Sequence, residues 1–235
     1  MEHTSTRKSL DWSDDVLLFF FPVNCLVCGK RLPSSKEVLC IACEFNLPLA
    51  GFRDINNPVS KLFWGRIHIE GGTALCRFEK GSPIQVLLHE LKYRKNRKVG
   101  SYLGRMLGRA LLGSCFAECD FVIPVPLHPK RLRQRGYNQS EAIAEGVSAI
   151  IGIPLNTNVL IRIRSEDSQT SKGRYERFEN TLEQFRVVQD PPDLNGFRIL
   201  LVDDVVTTGA TLEACCRALQ NHYQCKLFVA AVSFA

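Results

Sequence analysis

Leu201-Val-Asp-Asp-Val-Val-Thr-Thr-Gly-Ala-Thr-Leu212 sets two adjacent carboxylates between an apolar run and a turn rich in hydroxyls and glycine. The apolar residues Ile199 to Val202 predict a buried strand, with Asp203 and Asp204 emerging at its tip and a helix from Thr211 to Asn221 directly after. A turn of this kind entering a helix offers backbone N–H groups, hydroxyls and the positive end of the helix dipole to one small anion. A phosphate monoester suits it: Thr207 to Thr211 form the turn, Gly209 has no Cβ to obstruct close approach, and Thr207, Thr208 and Thr211 can each donate a hydrogen bond. The carboxylates would repel that anion, so they must serve another part of the ligand or a metal attached to it. Vicinal ribose hydroxyls fit, and the negative field can also stabilise positive charge developing at an anomeric carbon. Carboxylates holding Mg²⁺ in the manner of a Walker-B strand are the competing reading, but the chain has no G-x-x-x-x-G-K-[ST] loop to support it.

Working outward, strands are expected at Thr73 to Phe78, Phe121 to Pro126, Val159 to Ile163, Phe185 to Val188, Arg198 to Val202 and Leu227 to Val232. Helical periodicity begins at Ser82 with Pro83 at the first helical position, and returns over Ser140 to Ile150. A further helix over Val99 to Leu112 would bury Leu103, Met106, Leu107, Ala110 and Leu111. Strands alternating with helices imply parallel βαβ units. The expected fold is therefore α/β, a doubly wound, mostly parallel sheet covered on both faces, whose ligands bind beyond the carboxyl ends of the strands.

With 235 residues, 45% of them hydrophobic, the chain can build one sizeable α/β core plus a small appended module. Its cysteines locate that module. Cys25-Leu-Val-Cys28 and Cys40-Ile-Ala-Cys43 are matched C-x-x-C pairs eleven residues apart, a spacing that can put four thiolates at the corners of a tetrahedron around a structural Zn²⁺. Four sulfurs leave no open position for water, so the metal would replace a hydrophobic core rather than catalyse. Disulfides or a redox C-x-x-C are the competing readings. Gly29 fits a turn needing positive φ, and Ser9 and Ser13 offer caps for an apolar-faced packing helix ahead of the module. Loss of periodicity after Pro48 sets the expected division at residues 1–52 and 53–235.

The longest apolar run near the start, Val16 to Phe21, falls far short of the roughly 20 residues that span a bilayer. No membrane insertion and no secretory signal are expected, and ten cysteines without an export signal point to a reducing, cytoplasmic setting. The net charge of +6 is clustered: Lys92, Arg94, Lys95, Arg97 and Lys98 form one basic run, and Lys130, Arg131, Arg133 and Arg135 another. Such runs favour polyanionic ligands, and a solvated basic face is the plainer alternative.

Val202 to Thr211, preceded by Ile199-Leu-Leu, resembles the phosphoribosyl pyrophosphate (PRPP) signature of type I phosphoribosyltransferases. Leu91-Lys-Tyr-Arg-Lys-Asn-Arg97, Val122-Ile-Pro-Val-Pro-Leu-His-Pro-Lys-Arg131, Arg133-Gln-Arg-Gly-Tyr-Asn-Gln139 and the four-cysteine start resemble segments of the ComF family of competence-associated phosphoribosyltransferase-like proteins. The resemblance implies a type I phosphoribosyltransferase domain behind a zinc finger. It further implies PRPP bound with Mg²⁺, the 5′-phosphate on Val206, Thr207, Thr208, Gly209, Ala210 and Thr211, and the ribose hydroxyls on Asp203 and Asp204. His128, Lys130 and Arg131 would line the pyrophosphate side, and the polar stretch carrying Lys172, Arg174 and Arg177 matches the family's mobile loop.

Two functional readings follow from the resemblance. One is transfer of ribose 5-phosphate to an acceptor the sequence does not specify, with loss of pyrophosphate. The other is a non-catalytic DNA-uptake factor that uses the PRPP-like site for nucleotide sensing and contacts single-stranded DNA and a helicase partner. For the second, Lys92, Tyr93, Arg94, Arg97 and Lys98 would meet nucleic acid, with Tyr93, Tyr137 and Tyr175 available to stack on bases.

Overall fold

The computed structural model describes residues 22–34, 37–52, 54–163 and 184–235. The proposed helix ahead of Cys25 and the loop residues Lys172, Arg174, Tyr175 and Arg177 lie outside the described residues. Two compact units divide the chain, Met1–Asn46 and Leu47–Ala235, so that residues 47–52 belong with the second.

In the first unit the backbone turns tightly around the first cysteine pair. Cys25 N–H donates to the Lys30 carbonyl at 2.8 Å and Gly29 N–H to the Cys25 carbonyl at 2.9 Å, with Gly29 at φ 72°, the conformation its lack of Cβ permits. Leu26 N–H reaches Val38 O at 3.1 Å, tying the first pair to the second. Helix α1 (Ile41–Phe45) begins at Cys40 as its N-cap and carries Cys43 on its buried side.

The second unit is built on a four-stranded, all-parallel sheet of strands β1 (Gly71–Arg77), β2 (Phe121–Pro124), β5 (Arg198–Val206) and β6 (Lys226–Phe234), in the order β1-β6-β5-β2. Beyond β2, Leu155 forms a parallel bridge with Val122 that begins a further edge position. The β1 edge is closed by residues 48–50, through Ala50 N–H to Leu75 O and Arg77 N–H to Pro48 O, both 2.8 Å. Covering an edge in this way removes a template for pairing with another chain.

Helices follow the strands: α2 (Pro58–Lys61), α3 (Pro83–Tyr93), α4 (Arg97–Leu111), α5 (Pro129–Arg135), α6 (Gln139–Ile151) and α7 (Ala210–Gln220). Side chains along β5 are buried on both faces, as a two-sided core requires. Ile199 and Leu201 join one cluster with Leu212, Cys215, Cys216 and Leu219 of α7, while Leu200 and Val202, equally buried, face the side where α6 packs on β5 and β2.

Three features differ from the sequence expectation. Strands β3 (Leu160–Arg162) and β4 (Phe185–Val187) do not join the parallel sheet but pair with each other, antiparallel, as a separate ribbon. Helix α4 buries not Ala110, which is exposed, nor fully Met106, but a glycine stripe at Gly100, Gly104 and Gly108. A Cβ on Gly100 would lie 2.7 Å from the Ala142 Cβ and one on Gly108 2.8 Å from the Ile150 Cβ, and one on Gly104 would collide with the Ile143 carbonyl. From the other side, a Cβ on Gly146 of α6 would sit 2.5 Å from Ser101 O, so these two helices meet backbone to backbone. Leu103, Leu107 and Leu111 are buried as the apolar periodicity expects, and close approach of the two helices adds the glycines to that face. Third, β5 runs past the apolar residues to Val206, with Asp203 opposite Ala231 and Val205 opposite Ser233. The two aspartates therefore sit inside the last turns of a paired strand instead of beyond its tip.

Candidate functional site

The site forms where the carboxyl end of β5 gives way to α7. Ladder hydrogen bonds to β6 fix the backbone of Asp203 through Val206, and Thr207 to Gly209 then turn the chain into a helix that starts at Ala210, one residue before the sequence expectation. Gly209 is the N-cap, at φ 75°, and a Cβ there would meet Phe63 Cζ at 3.3 Å and Leu62 Cβ at 3.4 Å. The glycine is thus demanded by its backbone angle and by packing behind the turn. Residues Asp203 to Leu212 enclose a small hollow of 40 Å³ at this helix N-terminus.

Behind the turn, Arg66 donates from Nη1 to Thr208 O at 2.8 Å and Leu62 O at 3.0 Å, and pairs through Nη2 with Glu213. Glu213 is fully buried and also pairs with Arg217, which returns a 2.6 Å hydrogen bond to Arg66 O. Sequence reasoning missed this bracket, since Glu213 reads as an ordinary first-turn acid and Arg66 is 147 positions away from it.

In front, the turn opens into a cleft of 260 Å³ lined by Asp203, Asp204, Thr207 and Thr211, by Val125, Pro126 and Leu127 after β2, and by Lys92, Arg131, Arg135, Arg162, Asn138, Gln139 and Ser140. A larger hollow of 750 Å³, lined by Trp64 to Gly71 with Ile55, lies elsewhere. It holds neither the acid pair nor the threonine turn, so chemistry rather than size marks the site.

Asp203 is buried, and its Oδ1 accepts from Ser140 Oγ and from the Asp204 N–H, both at 2.9 Å. Burial, and next the neighbouring Asp204 carboxylate, push its pKa up to about 7. Ser140 is placed for this by the N-cap of α6: the Asn138 side chain accepts from Ser140 N–H, while its Nδ2 donates to Val125 O at 3.0 Å. Asp204 meets Lys92, whose Nζ lies 3.1 Å from Oδ2.

The expected basic runs divide when seen in three dimensions. Lys92 enters the cleft, Arg97 pairs with Glu141 and Glu145 of α6, Arg94 reaches Glu90 at 4.0 Å, and Tyr93 stands 68% exposed with its ring 5.0 Å from that of His89. Lys98 has partners of its own. Tyr137 is corrected: it is buried, its hydroxyl donates to Leu91 O at 2.6 Å, and it cannot stack on a base. In the second run Arg131 lines the cleft as expected, joined by Arg135, while Lys130 is exposed outside the lining and His128 caps α5 by accepting from Lys130 N–H. Val206 is buried and Ala210 opens α7, so both can offer only backbone to a ligand.

The four cysteines come together in the first unit. Their sulfurs all lie within 4.8 Å of one another, with Cys28 Sγ and Cys40 Sγ 3.6 Å apart. A tetrahedral zinc with Zn–S bonds of about 2.3 Å sets sulfurs roughly 3.8 Å apart, so the cluster fits a structural metal such as zinc. The other cysteines join no such cluster among the described residues: Cys76, Cys119, Cys215 and Cys216 are buried, and burial pushes their thiols up, to about 12 for the first two.

A magnesium site is a different matter. Among the described residues the cysteine cluster is the one group of three or more His, Cys, Asp or Glu side chains close enough to share an ion. Asp203 Oδ1 and Asp204 Oδ2 are both engaged within the chain. The acid pair is not a ready-made cage for a hard cation that prefers several unencumbered oxygens.

Comparison with known proteins agrees with the arrangement. Residues 138–234, which hold Ser140, the acid pair, the threonine turn and α7, match the phosphoribosyl transferase domain family. The fold and this match define a phosphoribosyltransferase-like domain. Over 221 residues the chain is 24% identical to competence protein F of Haemophilus influenzae, covering 87% of this chain and 94% of that one. It is 28% identical over 134 residues to the DNA utilization protein YhgH of Salmonella typhi and 34% over 98 residues to competence protein ComFC of Bacillus subtilis. Those matches take in 55% and 42% of this chain and 58% and 37% of the relatives' lengths, so the chain spans little more than half of the second relative. Among solved structures, a purine phosphoribosyltransferase from Pyrococcus horikoshii aligns with 57% of this chain and 73% of that one, at 21% identity and a TM-score of 0.34. The chain is thus similar to the competence and DNA utilization proteins of the ComF kind, with a phosphoribosyltransferase-like domain and a four-cysteine cluster ahead of it.

Proposed function

We propose that this protein binds PRPP or a closely related phosphorylated ribose in the cleft at the end of β5. The observation that carries the reading is the order of groups along Asp203 to Thr211: two carboxylates, then a three-residue turn into a helix N-terminus, with cationic side chains lining the same cleft. The ribose diol would meet Asp203 and Asp204, the 5′-phosphate the backbone N–H groups and hydroxyls of Thr207 to Thr211, and the pyrophosphate Arg131 and Arg135. Any divalent cation would arrive on the pyrophosphate, because one oxygen of each carboxylate is already held within the chain, Asp203 Oδ1 by Ser140 and Asp204 Oδ2 by Lys92.

Transfer of the ribose 5-phosphate to a nucleophile, with pyrophosphate leaving, is the chemistry such a ligand allows. Asp203 is fitted to take up the nucleophile's proton: a carboxyl near neutrality can exchange one, and Oδ2 is the oxygen not used by Ser140 and the Asp204 N–H. Isothermal titration with PRPP tests binding, and an Asp203→Ala, Asp204→Ala double variant that binds as tightly as the native protein would sink the reading. Pyrophosphate release on adding an acceptor separates a transferase from a binding protein.

A second role, contact with single-stranded DNA in competence or DNA utilization, draws on the names of the relatives and on Tyr93, exposed beside Arg94. It predicts salt-sensitive binding weakened by Tyr93→Ala; binding indifferent to both salt and Tyr93 counts against it. A zinc-stabilised first part belongs to the same reading, as does a ligand-covering role for the stretch holding Lys172, Arg174 and Arg177.

A further inference from the structure

Lys92 occupies the last turn of α3, yet its side chain turns into the cleft, 26% exposed, to meet an Asp204 carboxylate that is 13% exposed. The backbone that delivers it is fastened on both sides. Tyr137 donates its phenol to Leu91 O, one residue earlier, and Arg97, at the start of α4, pairs with Glu141 and Glu145 of the helix that presents Ser140 to Asp203. The lysine is therefore not a surface side chain that happens to reach an acid. It comes from an anchored turn and already places a positive charge on Asp204 Oδ2.

A hard divalent cation seeking Asp204 Oδ2 must compete with this ammonium. The ammonium has three donors, so while one holds the carboxylate others can reach a ligand phosphate oxygen. The cleft lining also carries Arg131, Arg135 and Arg162, four cationic side chains in all against two carboxylates.

We propose that Lys92 is a ligand-anchoring residue whose ammonium, bridging Asp204 and a phosphate oxygen, provides the positive charge that a metal ion would otherwise bring, so that binding of phosphorylated ribose does not require a divalent cation. This rests on the reading of the cleft as a PRPP site, and it reassigns Lys92 from a nucleic-acid surface to that site.

The test is calorimetric titration of PRPP into the full chain, in EDTA and in excess Mg²⁺, for the native protein and for Lys92→Met and Lys92→Arg. The native protein should bind in EDTA within about threefold of its affinity in Mg²⁺. Loss of a charge-assisted contact should weaken Lys92→Met by about ten- to a hundredfold in EDTA, with most of the loss recovered in Mg²⁺. Lys92→Arg, which keeps the charge, should retain binding in EDTA and guards against a folding defect. Native binding that needs Mg²⁺, or a Lys92→Met variant unaffected in EDTA, overturns the role of Lys92 while leaving the PRPP site standing. Absence of heat from every protein in both buffers overturns the PRPP site itself and the inference with it.

Discussion

Arg66 Nη1 lies 2.8 Å from the Thr208 carbonyl while the same guanidinium pairs with fully buried Glu213, two turns of chemistry joined by one side chain. With its carbonyl held from behind, the peptide of Thr208 keeps the opposing N–H edge of the turn free to face an anion. Arg66→Ala should cost about 1–2 kcal/mol in stability, because Glu213 keeps Arg217, and should weaken ribose 5-phosphate binding more than it lowers Tm. Glu213→Ala strands two guanidinium groups and should cost more, about 3 kcal/mol, the lower end for a broken buried pair since both arginines reach solvent. Calorimetry and thermal melts on the two variants check the order; equal affinity in Arg66→Ala and the native chain removes the positioning role.

The α4–α6 contact gives a second prediction. At Gly104 an added Cβ would strike the Ile143 carbonyl, which belongs to helix backbone and cannot turn aside as a side chain could. Gly104→Ala should therefore destabilise by about 1–3 kcal/mol or more, even though alanine is the better helix former. Ala110→Ser, on the exposed side of the same helix, should change stability by less than about 0.5 kcal/mol. Chemical denaturation of both variants decides, and a Gly104→Ala protein as stable as the native chain would show the two helices able to move apart.

What could be read in advance follows from how local each signal is. Helix α3 was legible because Ser82 and Pro83 mark its start within two residues, and β5 with its acids because apolar, acidic and hydroxyl residues are consecutive. The Gly100, Gly104 and Gly108 stripe was passed over because a hydrophobic count scores glycine as nothing, whereas its burial comes from a partner helix some forty residues on. Likewise Lys92, Ser140 and Asp203 share one cleft although spread over more than a hundred positions, and a basic run shows no sign of which of its members will turn inward. Strands β3 and β4 had the right composition for a sheet, and only pairing partners, which composition does not name, put them in a ribbon of their own.

The cysteine cluster predicts one zinc per chain by atomic spectroscopy. Structural zinc contributes about 10–16 kcal/mol of apparent binding free energy in small modules, so its removal should undo the turn it holds. The sensitive reporters are amides whose partners exist only in the folded module: Cys25 to Lys30 O, Gly29 to Cys25 O and Leu26 to Val38 O. Chelation, or Cys43→Ser, should accelerate hydrogen exchange at all three. Exchange that stays slow after the metal has been stripped would mean that the module folds without it.

Asp203 carries the pH prediction. Burial, with Asp204 second, raises its carboxyl from 3.8 to about 7, so between those values the folded chain keeps a proton that the unfolded chain has released. A proton bound in the folded state alone makes stability fall as pH rises through that window, with no further loss above it. In Asp203→Asn the amide oxygen can still accept from Ser140 Oγ and the Asp204 N–H, and nothing titrates. The variant should therefore melt close to the native protein at pH 4 and increasingly above it toward pH 7, by an amount on the order of a few kcal/mol, then hold that margin at higher pH. Its PRPP affinity should fall over the same range, since the amide has lost the negative charge that faces the ribose. A margin independent of pH would show that Asp203 is ionised throughout, and would shift the proton-accepting role away from it.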